Sequence, residues 1–275
     1  VISPSDAKGA SAVSYNPPVM TNTALAPLAS SATNAATPAN ARVLLLQVRD
    51  QRAAELHEQQ CFLDRLSLAR ERLTCLNVVE NPVPSLPEAL AADVVVLGGA
   101  GAHSAYLDYP FTEPLIDLVN ELVERGRPFF GACFGHQFLG RALGGSVVHD
   151  PAHEEIGTFE VELTSEGVND PLLRGAPPRF AAHLGHHDRI DRVPSNLVTL
   201  ASTARCAQQL VRVAGKPVYG AQFHCEMTEQ HMRERVMMYA RDYMSGDDPA
   251  GQLAKRLRPT PYADGLLARF MTEFL

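Results

Sequence analysis

The chain has no apolar run approaching the roughly 18 residues that a membrane-spanning helix needs, so none is read in it. It has no basic excess either. Its 24 Lys and Arg stand against 31 Asp and Glu, a formal net charge of −7, which makes a nucleic-acid backbone an unfavourable partner overall. It lacks any C-x-x-C pair. Its five cysteines, Cys61, Cys75, Cys133, Cys206 and Cys225, are far apart and odd in number. That excludes a small disulfide framework and suits a reducing compartment. No basic stretch followed by an apolar core is found near the N-terminus, so no secretory signal is read and the cytoplasm is the expected location. No P-loop is visible, and Gly98-Gly99-Ala100-Gly101 does not complete a dinucleotide fingerprint.

What the chain does have is 275 residues of which 45% are hydrophobic, enough to bury a sizeable core. Residues 1–40 are rich in Ala, Ser, Thr, Asn and Pro with scarcely any periodic apolar face. They read as a flexible leader or an added extension, with Met20 a candidate start. A catalytic domain is expected over residues 41–245, followed by a C-terminal helical appendage over 246–275 that packs on it. Short apolar runs at 42–48, 75–79, 93–97 and 128–132 read as buried parallel strands. Helical periodicity at 53–70, 112–125 and 135–143 separates or follows them. From 147 to 213 the pieces are short and alternating, which suggests antiparallel strands. A buried strand returns at 216–223, then helices at 228–243 and 263–274. Alternation of this kind predicts an α/β fold with a mixed, mainly parallel central sheet flanked by helices.

Chemistry concentrates in two strings. In Gly131-Ala132-Cys133-Phe134-Gly135-His136-Gln137 a strand runs into a helix, with a cysteine at the turn and small residues around it. Such a turn resembles the nucleophile elbow of hydrolases, and the following helix N-terminus favours a thiolate there. A lone cysteine is more often a small buried hydrophobe, so the setting matters. In the second string, Gln222-Phe223-His224-Cys225-Glu226, an imidazole and a carboxylate follow a strand end, where side chains of α/β sheets converge. A thiolate nucleophile needs an imidazole partner, and the imidazole needs an orienting acceptor. The bland readings are a hydrogen-bonded structural histidine and a solvated glutamate.

Together the strings resemble the class I glutamine amidotransferase family, in particular the glutaminase domain of the GMP-synthase type. Its nucleophile motif has the form G-x-C-x-G-x-Q and its later motif is commonly Q-F-H-P-E. The similarity spans about residues 42–240, and the two motifs jointly are specific. The resemblance implies a flavodoxin-like domain in which Cys133 is the nucleophile, His224 the base and Glu226 the orienting acid. It also implies an oxyanion hole from Phe134 and the Gly98-Gly99 loop, and substrate contacts from Gln137, His186 and Asp188. Cys225 departs from the family's proline. It removes no catalytic group, but beside the site it is an oxidation liability or, less naturally, a second nucleophile. The segment His183-Leu184-Gly185-His186-His187-Asp188 departs from an S-H-G-D form. His187 stands for Gly and Gly185 for Ser, so a changed pocket is expected.

The implied reaction is hydrolysis of the glutamine side-chain amide through a γ-glutamyl thioester, with no organic cofactor and no metal required. Zinc on His183, His186 and His187 lacks a clear fourth ligand. Ammonia transfer would need a separate synthetase or acceptor subunit to receive it. The alternative enzyme is a freestanding γ-glutamyl hydrolase or peptidase, and a catalytically inactive binding or regulatory protein is the alternative of a different class.

Overall fold

The structure is a computed structural model in which residues 40–239, 251–252 and 255–275 are described. The expected leader lies outside them, except for its last residue. β1 (Val43–Val48), α1 (Arg52–Leu66), β2 (Leu73–Asn77), α2 (Leu86–Leu90), β3 (Val94–Ala100), α3 (Thr112–Glu124), β4 (Phe129–Ala132) and α4 (Phe134–Ala142) form the first half. β5 (Val147–His149), β6 (Glu155–Leu163), α5 (Ser165–Val168), β7 (Arg179–His186), β8 (Asp188–Ile190), β9 (Leu197–Ser202), β10 (Leu210–Val213), β11 (Val218–Ala221) and α6 (Glu229–Met238) follow. Two further helices, Pro261–Asp264 and Leu266–Phe274, close the chain.

Nine strands make one sheet in the order β2-β1-β3-β4-β11-β10-β9-β6-β7. The first five are parallel and the rest antiparallel, so the sheet is mixed as the alternating periodicity predicts. Strands buried on both faces need apolar side chains on both, which explains the unbroken VLLL and VVVL runs that open β1 and β3. Successive side chains of β1 divide accordingly. Val43 and Leu45 join a core with Phe62, Phe130, Tyr219 and Phe270 on one face. Leu44, Leu46 and Val48 join Leu115, Leu118, Phe134 and Phe138 on the other. α3 presents Leu115, Leu118, Val119 and Leu122 at three- and four-residue spacing and is followed by Gly126 at φ 61°. Among the described residues no helix is long and apolar enough to cross a membrane.

One register positions the chemistry. β4 and β11 run parallel with Phe129 opposite Val218 and Ala132 opposite Ala221. Both strands therefore end level, and the backbone N–H of Cys133 donates to Ala221 O at 2.8 Å. Two sequence strings about ninety residues apart thus begin at the same place. The small β5–β8 ribbon does likewise for His149 and Asp188, which are register partners.

Candidate active site

Cys133 sits between β4 and α4 with φ 51° and ψ −99°, a conformation costly for any residue with a side chain. Glycines enforce it. A Cβ on Gly135 would lie 2.1 Å from Leu97 O, and one on Gly131 would lie 2.4 Å from Gly135 O. The bend aims the thiol out of the sheet at the start of α4.

His224 follows β11, its backbone N–H tied to His183 O at 2.8 Å, and its Nδ1 meets Glu226 Oε1 at 2.7 Å. The imidazole and Cys133 share one flank of Gly99, where a Cβ would lie 3.7 Å from His224 Cε1 and 3.8 Å from Cys133 Cβ. The directed bonds of the sulfur run to Gln222 Nε2, which donates at 3.7 Å, and to Gly185 O at 4.0 Å. Burial would lower the His224 pKa, but the Glu226 carboxylate and the Cys133 sulfur outweigh it and raise the imidazole to about 10. Burial pushes Glu226 up. Its imidazolium partner more than offsets that and holds it below the ordinary carboxylate value. His224 and Glu226 therefore form an imidazolium–carboxylate pair beside the Cys133 side chain.

Gln222 was not singled out from the sequence. It is fully buried, and its Oε1 accepts from Gln137 Nε2 at 3.0 Å, which turns its own amide nitrogen toward the sulfur. Gln137 donates also to Asp188 O at 2.8 Å. Its side-chain donor is thus spent on binding α4 to β8 and orienting Gln222, although Gln137 still lines the pocket.

The pocket beside Cys133 is walled by Phe134, Gln137, His186 and Asp188 and also by His103, Ser104 and His149. Both His186 ring nitrogens are committed, Nδ1 to Asp188 O at 3.0 Å and Nε2 to Glu155 Oε2 at 3.1 Å. Its side chain sets the loop, and its free surface is apolar ring. Asp188 accepts from Ser104 Oγ at 2.6 Å and pairs with His149 Nδ1 at 2.8 Å. His187 pairs instead with Glu154, and His183 bonds Thr158, so the three histidines diverge. No cluster of three or more His, Cys, Asp or Glu side chains is placed to hold a metal among the described residues. Cys225 is wholly buried in the apolar core. Burial raises its pKa well above the ordinary thiol value, which makes it an inert side chain rather than a target of oxidation.

The glycine loop differs from expectation. Gly99 N–H donates to Glu58 Oε1 at 3.0 Å, while Phe134 is the first residue of α4, where the backbone N–H has no intrahelical acceptor. Glu58 belongs to α1 and is fully buried. It also accepts from Arg49 Nη2 at 2.5 Å, Arg49 Nε at 3.2 Å and Gln47 Nε2 at 2.8 Å. Sequence reasoning missed this network. Its signal was two polar residues, Gln47 and Arg49, in and just after a strand otherwise wholly apolar.

Comparison with known proteins places this geometry. Residues 66–239 match the family described as Glutamine amidotransferase class-I. The chain is 30% identical over 168 residues to a glutamine-hydrolyzing GMP synthase subunit from Methanothermobacter thermautotrophicus, covering 60% of this chain and 82% of that protein. It is 32% identical over 117 residues to the glutamine-hydrolyzing GMP synthase of Photorhabdus laumondii, covering 41% of this chain. The match spans only 22% of that relative's length. A solved glutamine amidotransferase from Thermotoga maritima superposes with a TM-score of 0.66 at 24% identity, covering 84% of this chain and 99% of that one. The fold, the two motifs and the matched residues agree: the chain belongs to the class I glutamine amidotransferase family.

Proposed function

We propose that the chain hydrolyses the side-chain amide of glutamine with Cys133 as nucleophile, and that it delivers the ammonia to a separate synthetase subunit. The observation that carries this reading is the level ending of β4 and β11, which brings Cys133 to the same flank of Gly99 as an imidazole already held by a carboxylate. The similarity to the Methanothermobacter protein, a glutamine-hydrolysing subunit by its name, supports the division of labour.

In this mechanism the Cys133 thiolate attacks the γ-carboxamide carbon, and the carbonyl electrons move onto oxygen. Phe134 N–H at the start of α4 stabilises that oxyanion. When the carbonyl re-forms, the C–N bond breaks and His224 gives its proton to the leaving nitrogen, releasing ammonia and leaving a γ-glutamyl thioester. Water then attacks the thioester as His224 takes its proton. The C–S bond breaks, and glutamate leaves with the thiolate restored. Glu226 keeps the ring in one orientation and stabilises its charge throughout. Asp188, with Ser104 and His149 on its carboxylate, presents a negative group to the substrate α-ammonium. A reducing cytoplasm, which keeps thiols free, is the compartment that suits this chemistry.

The test is glutamate release from glutamine by the wild-type chain, Cys133→Ala and His224→Asn. Loss of at least about a hundredfold in both variants is expected. Undiminished turnover in Cys133→Ala would sink the reading. Added synthetase subunit is expected to consume the ammonia, whereas faster turnover of γ-glutamyl peptides than of glutamine would make the chain a freestanding γ-glutamyl hydrolase.

A further inference from the structure

We infer that Glu58 is a positioning residue for the oxyanion hole: it holds the Gly98–Gly99 peptide with its N–H turned onto the Glu58 carboxylate, so that the resting site offers the oxyanion the N–H of Phe134 without that of Gly99. The inference rests on the proposed cysteine chemistry.

Gly99 lies inside the site. A Cβ at its position would be 3.8 Å from Cys133 Cβ and 3.7 Å from His224 Cε1, yet its N–H runs to Glu58 Oε1 at 3.0 Å. The carboxylate approaches so closely that only glycine fits at residue 98, where a Cβ would meet Glu58 Oε1 at 2.6 Å. Arg49 and Gln47 pin the carboxylate in place. The loop is therefore sandwiched between a buried ion pair on one side and the nucleophile with its imidazole on the other.

Glycines flank the peptide on both sides, so its plane can turn without a side chain in the way. Once Gly99 N–H leaves, Glu58 keeps three donors, two from Arg49 and one from Gln47. Release thus gives up one hydrogen bond to a charged acceptor, which biases the resting state by about ten- to a hundredfold against a complete hole. A missing oxyanion donor slows turnover by roughly a hundredfold or more, so this bias acts directly on kcat.

The experiment compares wild type with Glu58→Gln, which preserves shape and weakens the acceptor. Glutamine hydrolysis is expected to rise about tenfold in kcat, with KM within about threefold. Alkylation of Cys133 by iodoacetamide, a displacement at saturated carbon that develops no oxyanion, is expected to stay unchanged. An unchanged or lower kcat with the alkylation rate and melting temperature preserved overturns the inference. Should Arg49 be left unpaired and the variant unfold, Arg49→Gln/Glu58→Gln removes both charges and carries the same expectation. A further check uses unaltered protein. The γ-aldehyde analogue of glutamine adds the Cys133 sulfur to its carbonyl carbon and a proton to its oxygen, giving a hemithioacetal. In a crystal structure of that adduct Gly99 N–H is expected on the adduct oxygen, and finding it still on Glu58 overturns the inference. Failure of the aldehyde or glutamine to react at Cys133 at all counts against the proposed function instead.

Discussion

Charge at the residue scale is set by burial working against pairing. His224 stands at about 10 because Glu226 and Cys133 outweigh its burial. A raised imidazole stabilises the fold fully below its ordinary 6.5, and that contribution is lost as pH climbs through about 10. Glu226 has the opposite sign. Held below its ordinary 4.5, it contributes above that value and loses the contribution as pH falls through its depressed folded value. In the proposed mechanism catalysis inherits the alkaline limit, because a deprotonated imidazole cannot protonate the departing ammonia. The kcat/KM profile for glutamine is expected to fall near pH 10, and Glu226→Gln is expected to bring that limb down by roughly 1–3 pH units. A limb that does not move would mean that Glu226 leaves the imidazole's charge unaffected. Gln222 adds a neutral donor to the sulfur, itself oriented by Gln137. Gln222→Leu keeps the volume and removes the donor. Its Cys133 is expected to react with iodoacetamide about tenfold more slowly at neutral pH, the thiolate having lost a partner.

Between strand and helix, the elbow depends on glycine at the scale of the element. Gly135→Ala drives a methyl group to 2.1 Å from Leu97 O, a backbone atom of β3 that cannot step aside. A loss of about 1–3 kcal/mol or more is expected in thermal unfolding. Gly175 is the control. It has φ +77° with open space around it, so Gly175→Asn is expected to cost well under about 1 kcal/mol. Equal effects at the two sites would show that contact with β3 is not the cause. The same element explains what could be read in advance. The apolar β4 run, the small residues and the helical spacing after Cys133 locate strand, turn and helix to within a residue, because each is written in local sequence. α1 hid more. Its Glu55, His57, Glu58 and Gln59 are buried, and a periodicity that counts polar residues as outward cannot find a polar face turned inward. The committed side chains of Gln137 and His186 were equally hidden, since their partners, Gln222 just past β11 and Glu155 in β6, are distant in sequence. Beyond β11 the order runs through consecutive antiparallel pairs, β11–β10–β9 and β6–β7, joined by the non-consecutive β9–β6 pairing, and the sequence carried only a coarse antiparallel signature of it.

Support for β4 and β11 runs through the whole molecule. Phe270 of the helix Leu266–Phe274 is 1% exposed and meets Phe130 of β4 edge-on at 5.4 Å and Tyr219 of β11 at 5.8 Å. These are the two strands whose level ends carry Cys133 and the Gln222–Glu226 string. One aromatic side chain from near the C-terminus therefore packs against both β4 and β11, on the face opposite α4. Phe270→Ala leaves a cavity that the sheet cannot collapse to fill, because β4 and β11 are fixed by their neighbours on both sides. The expected loss is about 3–5 kcal/mol. In urea the midpoint should fall while the slope stays unchanged, since the same surface is exposed on unfolding. If the helix were a separately folding unit, the variant would instead show two transitions, with the active site lost only in the second. A single transition, in which glutamine hydrolysis and far-UV circular dichroism disappear together, is the outcome that fits a core continuous from Phe62 through Phe130 to Phe270.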